Sequence, residues 1–194
     1  MTHPTPSQPH AERMDAARSV LLLVDYQQRL LPAIFEGERV LAHALLLART
    51  ARELGVPVLG TEQNPAGLGP TAPLLRERCE QTLSKMHFDA CADGLDAWLV
   101  QAAPGRSDVV MAGCEAHVCL LQTALGLLRA GRRVWVDSRA SGSRSPLDQA
   151  LAMERLARAG ATIVSTEMVV FEWLHHCRHE RFKSVLAELK RTAE

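Results

Sequence analysis

Asp25, Lys85 and Cys119 are far apart in this chain of 194 residues, yet together they are the parts of a nucleophilic centre. A thiol attacks poorly until a base takes its proton or a cation favours the thiolate. A carboxylate, an ammonium and a thiol thus supply an acid or base, a cation and a nucleophile. Each residue alone has a plainer reading. Asp25 ends the apolar run Ser19-Val-Leu-Leu-Leu-Val-Asp25 and could simply cap a turn. Cys119 opens a helical pattern, and free cysteine is among the most buried and inert of residues. Lys85 stands in Thr82-Leu-Ser-Lys-Met-His-Phe-Asp-Ala90; lysine usually lies in solvent, but Leu83, Met86 and Phe88 flank this one. Lysine is also rare here, with three among 22 basic residues.

The elements that would carry these residues can be read from the same sequence. Residues 19–25, 56–60, 108–113, 133–137 and 161–165 are continuous apolar runs rather than alternating ones, as expected of strands covered on both faces of a parallel sheet. Thr82 to Ser84 adds a short strand. Helical periodicity fills residues 38–54, 93–102, 117–130 and 145–159, with Gly55, Gly131 and Gly160 as stops and Ser145-Pro146 as a start. A last helical region, 167–190, breaks near 175–179. Alternating strands and helices predict an α/β fold, a three-layer α/β/α sandwich on a mostly parallel sheet of five or six strands. Open parallel sheets bind ligands beyond the carboxyl ends of their strands. Asp25, Lys85 and Cys119 all fall at such exits, and this convergence carries the functional reading. The irregular stretch 61–73 reads as a long loop bordering the site.

Composition narrows the classes. Hydrophobic residues make up 47% and 22 acidic residues balance 22 basic ones, so the chain is globular and no global field draws it to nucleic acid or an anionic membrane. Five cysteines, with no C-x-x-C pair, suit free thiols in a reducing compartment. Residues 1–17 read as a flexible tail without an apolar secretion signal, and 18–194 as one domain. The expected location is the cytoplasm. Gly67-Leu-Gly69-Pro-Thr-Ala72 imitates a dinucleotide motif, but it follows the second strand and Pro70 interrupts it. His175-His-Cys-Arg-His179 reads as a basic helix end rather than a metal cluster.

The spaced set Leu-Leu-Leu-Val-Asp25-Tyr-Gln, Lys85 with Phe88, and Gly113-Cys-Glu-Ala-His-Val-Cys119-Leu-Leu-Gln-Thr123 resembles the isochorismatase-like cysteine hydrolases, across roughly residues 18–190. Thr61-Glu-Gln-Asn-Pro65-x-Gly67-Leu-Gly69, Phe171-Glu-Trp-Leu174 and Arg181-Phe-Lys183 are similar to the isochorismatase-domain-containing branch. The resemblance implies a Cys–Asp–Lys triad. Cys119 attacks, Asp25 accepts the thiol proton, and Lys85 holds the thiolate and orients Asp25, giving a thioester-like acyl-enzyme. It also implies a cis peptide between Cys114 and Glu115, with the Glu115 and Cys119 N–H groups as an oxyanion hole. Two departures refine this. Metal-binding nicotinamidases carry Asp-x-His after strand two, where this chain has Gly60-Thr-Glu-Gln-Asn64, so no metal and no cofactor is expected. Isochorismatases that cleave a vinyl ether do not rely on a cysteine here, so Cys119 favours amide or acyl cleavage.

Tyr26, Gln27, Leu31, Gln63, Phe88 and His117 are expected to surround a compact, uncharged small-molecule substrate. Alternatives remain. A Cys119–His117 dyad is disfavoured because residues two apart do not share a helix face. The chain could be a non-catalytic binding or scaffold member of the fold, though a retained triad speaks against drift. A Cys114–Cys119 redox pair is awkward at that spacing. A homo-oligomer is expected, with no nucleic-acid or membrane partner.

Overall fold

A computed structural model describes residues 13–193 of the chain. The elements in order are β1 Ser19–Val24, α1 Gly37–Glu53, β2 Val58–Gln63, α2 Pro65–Leu68, α3 Pro73–Arg76, β3 Gln81–Lys85, α4 Leu95–Ala102, β4 Asp108–Gly113, α5 Leu121–Arg129, β5 Arg133–Asp137, α6 Pro146–Ala159, β6 Thr162–Val164, α7 Thr166–Leu174 and α8 Phe182–Ala193. All six strands join one parallel sheet in the order β3-β2-β1-β4-β5-β6. This is the three-layer α/β/α architecture expected from the sequence.

The central strands show why apolar runs without alternation were needed. Leu21 and Leu23 of β1 point into the core shared with α1 and α7, whereas Val20, Leu22 and Val24 point into the core shared with α4, α5 and α6. Each face must therefore be apolar, and truncating one of these leucines to alanine would cost about 2–5 kcal/mol. A third cluster, Leu46, Val170, Leu174, Val185 and Leu189, fastens α8 over α1 and α7. Helix ends follow the sequence signals. The Ser145 hydroxyl accepts from the Asp148 N–H at the start of α6, and Gly160 ends that helix at φ +104°, where a side chain would be strained.

Three expectations need correction. β2 does not stop at Gly60 but runs on to Gln63, so much of the expected 61–73 loop is strand and short helical turns. Thr61, Glu62 and Gln63 look like loop residues because they are polar, yet all three are buried and their polar atoms are paired within the protein. The helix expected over 117–130 begins only at Leu121, after a π-helical turn over Ala116–Leu120. Part of the tail expected over residues 1–17 packs against the domain. Residues 1–12 lie outside the described ones, but Met14 is fully buried and its N–H donates to Glu172 Oε2 at 2.7 Å. A single methionine with no apolar neighbours in sequence gave no sign of that packing.

Candidate active site

Strand order reverses at β1, between β2 on one side and β4 on the other, and crevices at such a switch point bind ligands. Asp25 follows β1 there, in the left-handed region at φ +55°, which Asp tolerates better than most residues. That turn leaves its carboxylate buried among the strand ends. The Thr61 hydroxyl donates to Oδ1 at 2.6 Å. Lys85, the last residue of β3, donates from Nζ to Oδ2 at 2.8 Å. The same ammonium reaches Gln63 Oε1 at 2.7 Å and the His87 carbonyl at 3.4 Å. Three protons thus meet three acceptors. Both charged side chains are wholly buried, so removing one would leave the other without compensation.

Cys119 completes the cluster from β4. Gly113, the last residue of that strand, passes so close to β1 that an added Cβ would lie 2.5 Å from the Val24 carbonyl oxygen. Only glycine lets the following segment turn toward Asp25. The Cys114–Glu115 peptide is cis, and the π-helical turn then presents Cys119, 5% exposed. Its Sγ lies 3.9 Å from Gln63 Oε1, the oxygen that also receives a Lys85 proton. Burial first, then the negative charge of Asp25 and a hydrogen bond to it, push the thiol up to about 12, while Lys85 pulls the other way. The substrate-free centre therefore holds a neutral thiol beside an Asp–Lys ion pair, not a standing thiolate. Glu115 is kept out of the cluster by Arg144, whose Nε and Nη2 donate to its two oxygens at 2.8 and 2.7 Å and hold its carboxyl below the ordinary range.

The expected substrate residues separate into two groups. Gln63 sits at the centre of the cluster, between Lys85 and Cys119. Tyr26 and Gln27 are both buried and hydrogen-bonded to backbone. Tyr26 lies in the core beneath α1 and its hydroxyl donates to the Ala140 carbonyl. Gln27 donates from Nε2 to the carbonyls of Gln63 and Gly69 and accepts from the Gln63 N–H, pinning α2 to the end of β2. Leu31 is half-buried in a 3-10 turn over Leu31–Ala33. Phe88 is exposed, with its carbonyl held by the Thr123 hydroxyl. His117 places Nδ1 3.0 Å from the Ser143 hydroxyl, and it is absent from the groups that perturb Cys119. Thr61 is the residue sequence reading overlooked. Its signal was available: the first polar residue past the apolar part of β2, in register with Val24 just before Asp25.

Among the described residues, no three His, Cys, Asp or Glu side chains gather as a metal site would require. No described helix is long and apolar enough to cross a membrane.

Residues 19–168 match the family model described as Isochorismatase domain. Isochorismatase domain-containing protein 2 of Danio rerio is 33% identical over 173 residues, 89% of this chain and 87% of that protein. The structure of MAR1 ribonuclease from Caenorhabditis elegans superposes with a TM-score of 0.85 at 30% identity, covering 92% of this chain and 93% of that one. The YcaC gene product of Escherichia coli, described as an octameric hydrolase of unknown specificity, superposes with a TM-score of 0.82 at 25% identity, covering 96% and 91%.

Proposed function

The chain belongs to the isochorismatase family, whose fold is that of small-molecule hydrolases, and from that premise we propose that it cleaves an amide or acyl bond through Cys119, Asp25 and Lys85. One observation carries the reading: a buried ion pair from the ends of β1 and β3, Lys85 Nζ to Asp25 Oδ2 at 2.8 Å, meets a buried thiol from the turn after β4. A thiol held up near 12 attacks only as its proton leaves, so Asp25 acts as a general base during attack rather than after it. The Cys119 proton passes to Asp25 while Sγ bonds to the substrate carbonyl carbon. The proton then goes to the leaving amine or alcohol as its bond to that carbon breaks, giving the acyl-enzyme. Water attacks next, gives a proton to Asp25, and the carboxylic acid departs with Cys119 protonated again. Lys85 stays paired and steadies the charge as it moves. The Glu115 and Cys119 N–H groups face the oxygen that becomes negative.

Gln63, Leu31, Phe88 and His117 border a compact, uncharged substrate. Tyr26 and Gln27 serve by fixing the segment after Asp25. A nuclease activity like the one named for the nematode relative is not our reading, since the charge is balanced and the nucleophile is only 5% exposed. We place the chain in a reducing compartment, the cytoplasm, because all five cysteines are unpaired. We also propose a homo-oligomer, as named for the Escherichia coli relative, with exposed Met168 and Phe171 on α7 as contact residues. Residues 18–194, together with the packed Met14 segment, form its one domain.

The test is mass spectrometry of the protein incubated with a panel of small amides and esters. An acyl adduct on Cys119, lost in Cys119→Ala, is the expected result. The rate of Cys119 alkylation by iodoacetamide should still be climbing at pH 9, and Lys85→Ala should shift the climb to higher pH. An unchanged profile in Lys85→Ala would remove Lys85 from the centre and bring the His117 dyad forward.

A further inference from the structure

A cleft of about 490 Å³ opens on the helical layer opposite α5, between α1, the turn after β5, α7 and α8. Its walls are unlike those of the cysteine centre. Arg39 and His43 come from α1 and Arg139 from the turn after β5, while Leu46 and Leu189 form an apolar floor. Burial lowers the His43 pKa, and Arg139 and then Arg39 lower it further. Two guanidiniums therefore act on one imidazole across the same space and favour its neutral form. The Thr166 hydroxyl lies 3.1 Å from His43 Nδ1 and leaves the other ring nitrogen for a ligand. Arg39 is partly engaged by Glu36 at 3.0 Å, whereas Arg139 makes no ion pair among the described residues. Of the residues lining the cleft, Arg39 and Arg139 are cationic and Glu167 carries the one carboxylate, while Asp137 accepts from the Arg139 N–H at 2.8 Å.

We propose that this cleft binds a small organic anion, its charged group between Arg39, Arg139 and His43 and its hydrocarbon part against Leu46 and Leu189. Two planar donor forks suit one carboxylate or phosphate group, and such charge-assisted bonds are the strong ones. An anion held there would also favour the protonated form of His43, against the pull of the two guanidiniums. The leucines add selectivity, because each methylene laid on them is worth up to about 0.8 kcal/mol. The site stands apart from the hydrolase reading, since none of its groups belongs to the cysteine centre.

The experiment follows the His43 ring resonances by NMR, assigned with His43→Gln, while acetate, hexanoate or inorganic phosphate is added at constant ionic strength. Hexanoate should shift the His43 signals, raise its pKa and bind about tenfold or more tightly than acetate. Arg139→Ala, at an exposed position, should weaken hexanoate about tenfold, and Arg139→Lys should restore only part. Protein alkylated at Cys119 should bind as the untreated protein does. Absence of any His43 response, an equal response in Arg139→Ala, or loss of binding on Cys119 alkylation would each overturn the site. Equal binding of acetate and hexanoate would overturn the hydrocarbon half of the assignment.

Discussion

Asp25 and Asp137 are the same residue in nearly the same place, and the sheet treats them differently. Each lies at the carboxyl end of a strand, one after β1 and the other closing β5, and neither exposes any surface. Asp25 has a partner on each oxygen, Thr61 on one and the buried ammonium of Lys85 on the other. Asp137 spends Oδ1 on the N–H groups of Arg139 and Ala140, at 2.8 and 3.1 Å, while Oδ2 finds no hydrogen-bond partner among the described residues. Burial pushes that carboxyl up to about 6, tempered by the nearby Thr166 hydroxyl. Backbone amides are enough to hold a turn. Asp25, beside a thiol, is instead given its own buried cation, which is costly to desolvate and which a structural turn does not need.

The strongest way to break the contrast is to take the cation from Asp25. Lys85→Met should cost about 3–5 kcal/mol in urea unfolding, because it strands a buried charge. The double variant Asp25→Asn/Lys85→Met should recover most of that loss. Neither should turn over substrate, and Asp25→Asn alone should lower kcat by two to four powers of ten, roughly the range of a general base. If the double variant is no more stable than Lys85→Met, the pair is not the coupled unit described here.

Asp137 sharpens the contrast through pH. A carboxyl whose folded value exceeds its unfolded one stabilises the fold at low pH, and that contribution fades as pH rises through about 6. The melting temperature of the wild type relative to Asp137→Asn should thus be highest near pH 4 and fall toward pH 7, by at most about 3 kcal/mol of stability. A difference that does not change over this interval would mean that Asp137 titrates normally.

Thr61 gives the smallest effect. Thr61→Val keeps the shape of β2 but removes the hydroxyl from Asp25 Oδ1. It should lower kcat about tenfold with little change in KM, the cost of one hydrogen bond to a charged group. A change confined to KM would instead make Thr61 a substrate contact.

Strands and helices were legible wherever burial and residue type agreed. The runs at 108–113 and 133–137 are apolar because both sheet faces are covered, and their limits matched the structure. Disagreement arose where buried residues are polar. Thr61, Glu62 and Gln63 continue a central strand under the disguise of a loop, since hydrogen bonds rather than apolar surface make their burial tolerable. The same blindness hid Thr61 from the candidate site, and it gave no sign that Tyr26 and Gln27 are buried. Sequence placed those two beside Asp25, but the left-handed turn at Asp25 ends the strand, and Tyr26 and Gln27 hydrogen-bond to backbone elsewhere. The meeting of Asp25, Lys85 and Cys119 was legible because strand exits in a parallel sheet share one edge.

The order of the strands also fixes when such a centre can exist during folding. β1 pairs with β4 so that Ser19 meets Asp108, and β3 docks only on the far side of β2. The two central strands must therefore find each other across more than a third of the chain, a non-local closure that slows folding relative to helical bundles. Until β4 has left the ribosome, β1 has no partner along one edge and its apolar residues have no second wall. The cluster of Asp25, Lys85 and Cys119, drawn from the ends of β1 and β3 and the turn after β4, therefore assembles only once all three strands have met.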